Sequence, residues 1–361
     1  MDFDLDESQY LLQDTLKRYF ANEYPLAKVR EVFDAGGGVD PDLWRGLAEL
    51  GLLGLVVPEE HGGSGFELLD VAVAAEVLGY SVAPGPFTEH VMATIALARG
   101  GTDAQKQRWL PGLASGELRA TVALAEEGEG WLPHDWEMGS SATLSGTKDW
   151  VLHPEGADLI VVGTRRGLSL VDATSSGIAI EPLDGIDRTR RLATVTFDGV
   201  PHEPLDGGAD VTRAVLDAGL VLLAADAFGA GLRVLELAVD YANTREQFGV
   251  TIGHFQALKH QIADVALEVH PSKGLYWYAA HAYDHVPEDA TRFAALANAH
   301  ITEIAANAGR RAVEVHGGIG YTWEADVHFF LKRAVLDRAY LGTPRALRAL
   351  VAELNGWPVA S

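Results

Sequence analysis

The sequence predicts a chain that is helical, then β, then helical again, and three observations predict it. Apolar residues recur at helical spacing up to about residue 117. From Leu118 the pattern changes to short, often β-branched runs, punctuated by Gly, Pro and Asp at intervals of roughly ten residues. From about Asp210 helical spacing returns and persists to Val351. The units that follow are 1–117, 118–206 and 207–361, and 361 residues are enough for two or three packed cores.

In chain order, residues 7–21 place Tyr10, Leu11, Leu16 and Phe20 at helical spacing among charges. Asp40 followed by Pro41 reads as a helix start, with Asp40 as the cap and an amphipathic helix over 43–50. Residues 51–65 form a Gly-rich connection, and 66–78 and 88–98 read as buried helices. The segment 103–117 combines a cap, a short helix and an expected stop at Pro111-Gly112. Candidate strands are 119–125, 142–144, 150–152, 159–162, 169–172 and 193–197. A long buried helix is expected over 215–242 and another from 256 to 269. At 270–274, Pro271 removes a backbone donor and Gly274 loosens the next turn, so a kink or break is expected there. Residues 355–361 read as a loose tail.

Composition narrows the function classes. The formal net charge is −23, which argues against nucleic acid or an anionic membrane as a partner. A phosphate-bearing ligand therefore needs local cations. With no cysteine in the chain, disulfides, thiolate nucleophiles and Cys–metal sites fall away, and no metal site is expected. The acidic start from Met1 to Asp6 lacks the apolar core of a signal peptide. The most apolar stretch, 215–230, contains Asp217 and Asp226 and reads as a core helix rather than a membrane span. A cytoplasmic location is expected.

The most informative stretch is Thr244-Arg-Glu-Gln-Phe-Gly-Val-Thr-Ile-Gly-His-Phe-Gln256. Arg245 is a fixed cation at a helix end, and Gly249 and Gly253 permit tight turning. Gln256 opens the next helix, where unpaired N–H groups favour an anion. Together they could hold a pyrophosphate. From spacing alone, a polar helix–helix turn with Arg245 solvated is the better-supported reading.

The motif R-x-Q-F-G followed by F-Q resembles the signature of the acyl-CoA dehydrogenase family. A second stretch, Glu314-Val-His-Gly-Gly-Ile-Gly-Tyr-Thr-Trp-Glu324, is similar to another family signature, and the likeness runs over nearly the whole chain. The resemblance implies a helical N-terminal domain, a small middle β-barrel or sandwich, and a C-terminal domain like a four-helix bundle. It implies FAD as cofactor, an acyl-CoA substrate and an electron-transfer flavoprotein as acceptor.

The resemblance also exposes losses. Family members usually carry the glutamate base just before a Gly-Thr pair near the C-terminus, where this chain has Leu341 before Gly342-Thr343. The alternative family position, 26 residues before the motif arginine, is Gly219 here. Neither can take a proton. Glu246, Glu324 and Asp217 are poor substitutes: the first reads as a solvated neighbour, the second as a helix-start residue, and the third faces away from Gly219 on a helix. The family's flavin-contacting threonine is Ala125 in the loop 123–131, and the hydroxyl expected two residues after Trp150 is replaced by Leu152.

What the family uses across a dimer interface, to hold the adenine and pyrophosphate of a neighbour's FAD, is kept: Arg245, Gln247, Phe248, Gln256, Gly317 and Gly318. Glu314 stands where the family usually has glutamine. His316 beside it reads as a structural hydrogen bonder. The resemblance thus implies a subunit without its own base, paired in an α2β2 assembly with a homologous subunit that has one, similar to actinobacterial enzymes acting on steroid-derived CoA thioesters. Two alternatives stand beside it: a flavin-binding homotetramer with altered chemistry, and a scaffold that has lost flavin.

Overall fold

The computed structural model describes residues 4–128 and 130–358. Met1 to Phe3, Glu129 of the 123–131 loop and residues 359–361 of the expected tail lie outside the described residues.

Six helices come first: α1 (Glu7–Glu23), α2 (Leu26–Asp34), α3 (Pro41–Glu49), α4 (Leu68–Tyr80), α5 (Phe87–Gly100) and α6 (Asp103–Ser115). The Asp6 carboxylate accepts from the Gln9 N–H at 2.8 Å, and the Gln9 side chain accepts from the Asp6 N–H at 3.0 Å, a reciprocal cap on α1. Asp40 caps α3 as its sequence predicts, accepting from the N–H groups of Asp42 and Leu43. Helix α2 escapes sequence reading because only Val29 and Phe33 of its nine residues are buried. The expected stop at Pro111-Gly112 does not occur. Pro111 lies inside α6, which ends at Gly116 in the left-handed conformation (φ 76°). The carbonyl deprived by Pro111 belongs to exposed Gln107, so water can satisfy it.

Two sheets follow. One has the strand order β1 (Ala120–Ala123), β3 (Leu159–Thr164), β4 (Gly167–Asp172), β7 (Glu203–Pro204); the other runs β2 (Leu144–Leu152), β6 (Leu192–Val200), β5 (Ile178–Leu183). Among the described residues, only β1 and β3 pair in parallel. Ile160, Val162, Val195 and Phe197 share a small separate core with Val151 and Met138. The two short runs expected at 142–144 and 150–152 are parts of one region: β2 spans 144–152, with its register shifted between Lys148 and Val151. Strand β5 lacks the alternation that would reveal it, since its middle four residues are all exposed.

The last part is helical. Helix α7 (Gly208–Thr244) is long and apolar enough to cross a membrane, but 94% of its most apolar window is buried inside the protein. It packs against α4, α5, α8 (Gln256–His285), α9 (Pro287–His316) and α10 (Val327–Ala339), and α11 (Pro344–Leu354) closes on α9. Of the kink or break expected at 270–274, the break is absent: α8 runs through Pro271 as one helix. The carbonyl it orphans is that of Leu267, whose side chain is 73% exposed, so the loss falls on the wet face.

The three parts meet at a buried ionic cluster. Arg333 on α10 donates to Asp187 at 2.8 Å, to Asp226 of α7 at 3.1 Å, to the Ala83 carbonyl at 2.9 Å and to Thr189 Oγ1 at 2.6 Å. Arg190 donates to Asp226 at 2.6 Å. One guanidinium thus bridges the loop after α4, the loop before β6 and two C-terminal helices. Asp337 and Glu89 complete the cluster without hydrogen-bond partners on either oxygen. Burial, with the charge of Asp226 second, holds the Asp337 carboxyl well above the usual range, and burial also raises that of Glu89.

Candidate functional site

Helix α7 ends at Thr244, and the chain then makes a ribbon of two short strands, β8 (Glu246–Gln247) and β9 (Val250–Thr251). Its two-residue turn is Phe248 (φ 55°) and Gly249 (φ 80°), both left-handed, the geometry that matches ribbon twist. Gly249 fits its place for free, whereas Phe248 holds a conformation costly for a bulky side chain. The ring it projects is 93% exposed and meets Phe255 edge to face. Gly253 serves close approach rather than a turn: a β-carbon there would stand 2.8 Å from the Ala242 carbonyl. Gln256 opens α8 behind Phe255, which offers no side-chain cap, so the first N–H groups of the helix remain available.

The second motif sits at the same end of the bundle. The His316 ring stacks on Tyr241 at 4.2 Å, tying the last turn of α9 to the last turn of α7, and its Nδ1 lies 2.8 Å from the Ala312 carbonyl. His316 is therefore structural. Gly317 (φ 63°) then turns the chain into a short 3-10 helix, Gly317–Tyr321. Glu314 accepts from Arg311. Arg245, Gln247, Phe248, Gln256, Glu314, Gly317 and Gly318 are all exposed, and Arg245 has no ion-pair partner among the described residues. They face outward, not into a cavity of their own chain.

The other half of the expected chemistry lies elsewhere. Leu341 adopts φ 62° and is buried, with its side chain against Gly219 and Met92. The two positions to which the resemblance assigns a base are thus neighbours in space, and hydrocarbon fills the gap between them. Ala125 and Leu152 are fully buried. Trp131 packs edge-on against Tyr340 at 4.8 Å. Trp150, at φ 56°, keeps 43% of its surface exposed.

Beside Leu341 a cavity of about 1360 Å³ opens between the 131–136 loop, the β3–β4 hairpin, α7 and α11. Asp217 lines it, together with Leu216, Leu220, Leu341 and Leu350. Its carboxylate accepts from Thr291 Oγ1 at 2.7 Å, and burial pushes its pKa up to about 6. Asp217 and Gly219 point in different directions on α7, yet the cavity is wide enough to take both the Asp217 side chain and that of Leu341. The signal available is an acid in an apolar helical run, one of two there with Asp226. Glu246 lies exposed in the ribbon, and Glu324 in a turn before α10, whose N-cap is Asp326 paired with Arg30 at 2.6 Å.

Fold and motifs define a flavin-linked dehydrogenase class, and comparison with known proteins agrees. The model of the acyl-CoA dehydrogenase N-terminal domain matches residues 6–117, and that of the C-terminal domain matches residues 206–354. The chain belongs to the acyl-CoA dehydrogenase family, whose cofactor is FAD. It is 33% identical to the acyl-CoA dehydrogenase IpdE2 of Mycolicibacterium smegmatis, over 97% of this chain and 100% of that protein. IpdE2 of Mycobacterium tuberculosis is likewise 33% identical, over 96% and 98%. Among solved structures, a variant of the Tcur3481-Tcur3483 steroid ACAD superposes with a TM-score of 0.88 at 31% identity, covering 97% of this chain and 98% of that one.

Proposed function

We propose that this chain is one subunit of a heteromeric, FAD-dependent acyl-CoA dehydrogenase, and that it lends its outward-facing turn to FAD seated in a homologous partner that carries the glutamate base. The observation that carries this reading is the split between the two halves of the site. The turn residues at 245–256 and 314–318 are exposed and include an unpaired guanidinium, which suits a pyrophosphate arriving from outside. The chain's own half offers Ala125, Leu152, Gly219 and Leu341, without a hydroxyl or a carboxylate among them.

These residues fit the distal half of FAD and not its ring. Bound in the complex, FAD supplies the hydride acceptor for α,β-desaturation of a thioester. Arg245 offsets part of the diphosphate charge, Phe248 covers apolar surface, and the free N–H groups at Gln256 face the same anion. An electron-transfer flavoprotein is the acceptor this reading implies. The 31% identity to a steroid ACAD supports a steroid-derived acyl group, and a cytoplasmic location completes the proposal.

The test is to purify the chain alone and with the product of its genomic neighbour, and to count flavin. The expected result is a colourless chain alone and one FAD per pair in the complex. A yellow, thioester-desaturating homo-oligomer of this chain overturns the reading in favour of altered chemistry, and a complex without flavin favours a scaffold.

A further inference from the structure

The chain has seven lysines, and one of them is housed unlike the rest. Lys332 of α10 points into the angle between two rings. Its Nζ lies 4.2 Å from the centre of Trp323 and 4.6 Å from that of Phe33, and the two rings are 5.9 Å apart and tilted by 54°. Phe33 belongs to α2 and Trp323 to the loop before α10, so this pocket joins the N-terminal and C-terminal parts. Lys332 has neither a hydrogen-bond acceptor nor an ion-pair partner among the described residues. By contrast, Lys17 donates to Gln13, Lys28 to the Glu23 carbonyl and Lys148 to Glu126.

The groups around Lys332 supply no free counter-charge. His328, one turn earlier on α10, faces the same two rings at 5.0 and 6.0 Å, and neither of its nitrogens has a hydrogen-bond partner among the described residues. Burial first, then the charges of Lys332 and Arg30, push its pKa down to about 4, so the imidazole is neutral at pH 7. Arg188 reaches over Phe33 from the loop before β6, and Arg30 over Phe329. Their own carboxylates are Asp184 and Asp326. Asp187 attracts Lys332, but Arg333 already holds it at 2.8 Å. Burial outweighs that attraction and lowers the pKa of Lys332, and Arg188 adds to the fall.

An unprotonated amine is a nucleophile, and this one is within reach of solvent: Lys332 is half-buried and Trp323 is 60% exposed. Lys148 is no competitor. Burial lowers its pKa to about 8, yet it is 0% exposed and bonded to Glu126. We propose that Lys332 is a modification site, acylated directly by CoA thioesters, and that the acyl group then occupies the angle between Phe33 and Trp323. The ammonium gives one proton to water. The amine nitrogen bonds to the thioester carbonyl carbon, the C–S bond breaks, and the coenzyme leaves as a thiol with the second amine proton. Nothing is oxidised or reduced. The product amide is uncharged, so an unpaired cation is exchanged for an apolar group against two rings.

The test is incubation of the full chain, as purified and without an acyltransferase, with acetyl-CoA, followed by site-by-site measurement of acetyl-lysine by peptide mass spectrometry. The expected result is acetylation of Lys332 about ten-fold faster than that of the exposed Lys28, Lys259 and Lys273, with a rate that levels off at lower pH than theirs. Trp323→Ala, which opens the pocket to water, should bring Lys332 down to the rate of the exposed lysines. Acetylation of Lys332 no faster than theirs, or a rate advantage unmoved by Trp323→Ala, overturns the proposal. The reaction needs no flavin, so FAD content of the same sample reports on the proposed function separately.

Discussion

A β-carbon placed on Gly219 would stand 2.6 Å from Leu341 Cδ1 and 2.7 Å from Met92 Sδ. The missing side chain at one position is the space occupied by the side chain at the other. Leu341 fills it from a left-handed backbone, so the pair is locked by sterics rather than by any polar contact.

Gly219→Ala should therefore destabilise the protein by about 1–3 kcal/mol, as overpacking does, with the loss moderated by the flexible ends of Leu341 and Met92. Urea denaturation measures it, and an unchanged midpoint would show that the gap is looser than it looks. In the proposed heteromer, Leu341→Glu should add no second turnover site, because Ala125 and Leu152 still offer no hydroxyl to a flavin ring; activity per FAD should be unchanged.

The buried cluster predicts an asymmetry between neighbours. Arg333→Met leaves Asp187 and Asp226 short of their shared cation and should cost about 3–5 kcal/mol. Asp337→Asn should be close to neutral at pH 7, since burial already favours the protonated carboxyl that the amide mimics. Equal losses in the two variants would mean that Asp337 is charged in the folded protein.

Asp217 gives a pH dependence with a definite sign. Its folded pKa, about 6, is raised from the ordinary 3.8, so the folded state holds the proton more tightly than the unfolded chain. The stability it contributes is fully present below about pH 4 and is lost as pH rises through 6. Asp217→Asn should remove that fall, gaining up to about 2–3 kcal/mol over the parent at pH 7 and little at pH 4. Denaturation midpoints at the two pH values check this, and a parallel offset at both would assign the effect to packing.

Arg245→Ala should leave the melting temperature within a degree or two, because the side chain is exposed and unpaired among the described residues. In the complex it should weaken FAD retention by about ten-fold or more, as loss of a charge-assisted contact to phosphate does. Retention equal to the parent's, measured by flavin release on dilution, would separate the turn from the cofactor.

Much of this protein is legible in its sequence. Local periodicity announced the helical, β and helical parts, because each depends on residues a few positions apart. The motif around Arg245 was legible for a similar reason: its turn is made within 13 consecutive residues. Errors fell where a local rule met a solvated carbonyl. Pro111 and Pro271 do not end their helices, since the carbonyls they deprive, of Gln107 and Leu267, lie on exposed turns. Strand β5 was invisible because its pairing partner, β6, supplies the order that its own exposed side chains do not.

By itself the sequence determined which chemical groups the chain owns: the cation and glycines of the 244–256 turn, and Leu341 and Gly219 at the two positions where the family resemblance places a base. Only the tertiary structure decided that Leu341 and Gly219 are neighbours, that seven motif residues face outward at one end of the bundle, and that Asp217 opens onto a cavity. Those relations span tens to hundreds of residues. They are set by how α7, α9 and the loop before α11 pack, and no local pattern encodes a distance across a core.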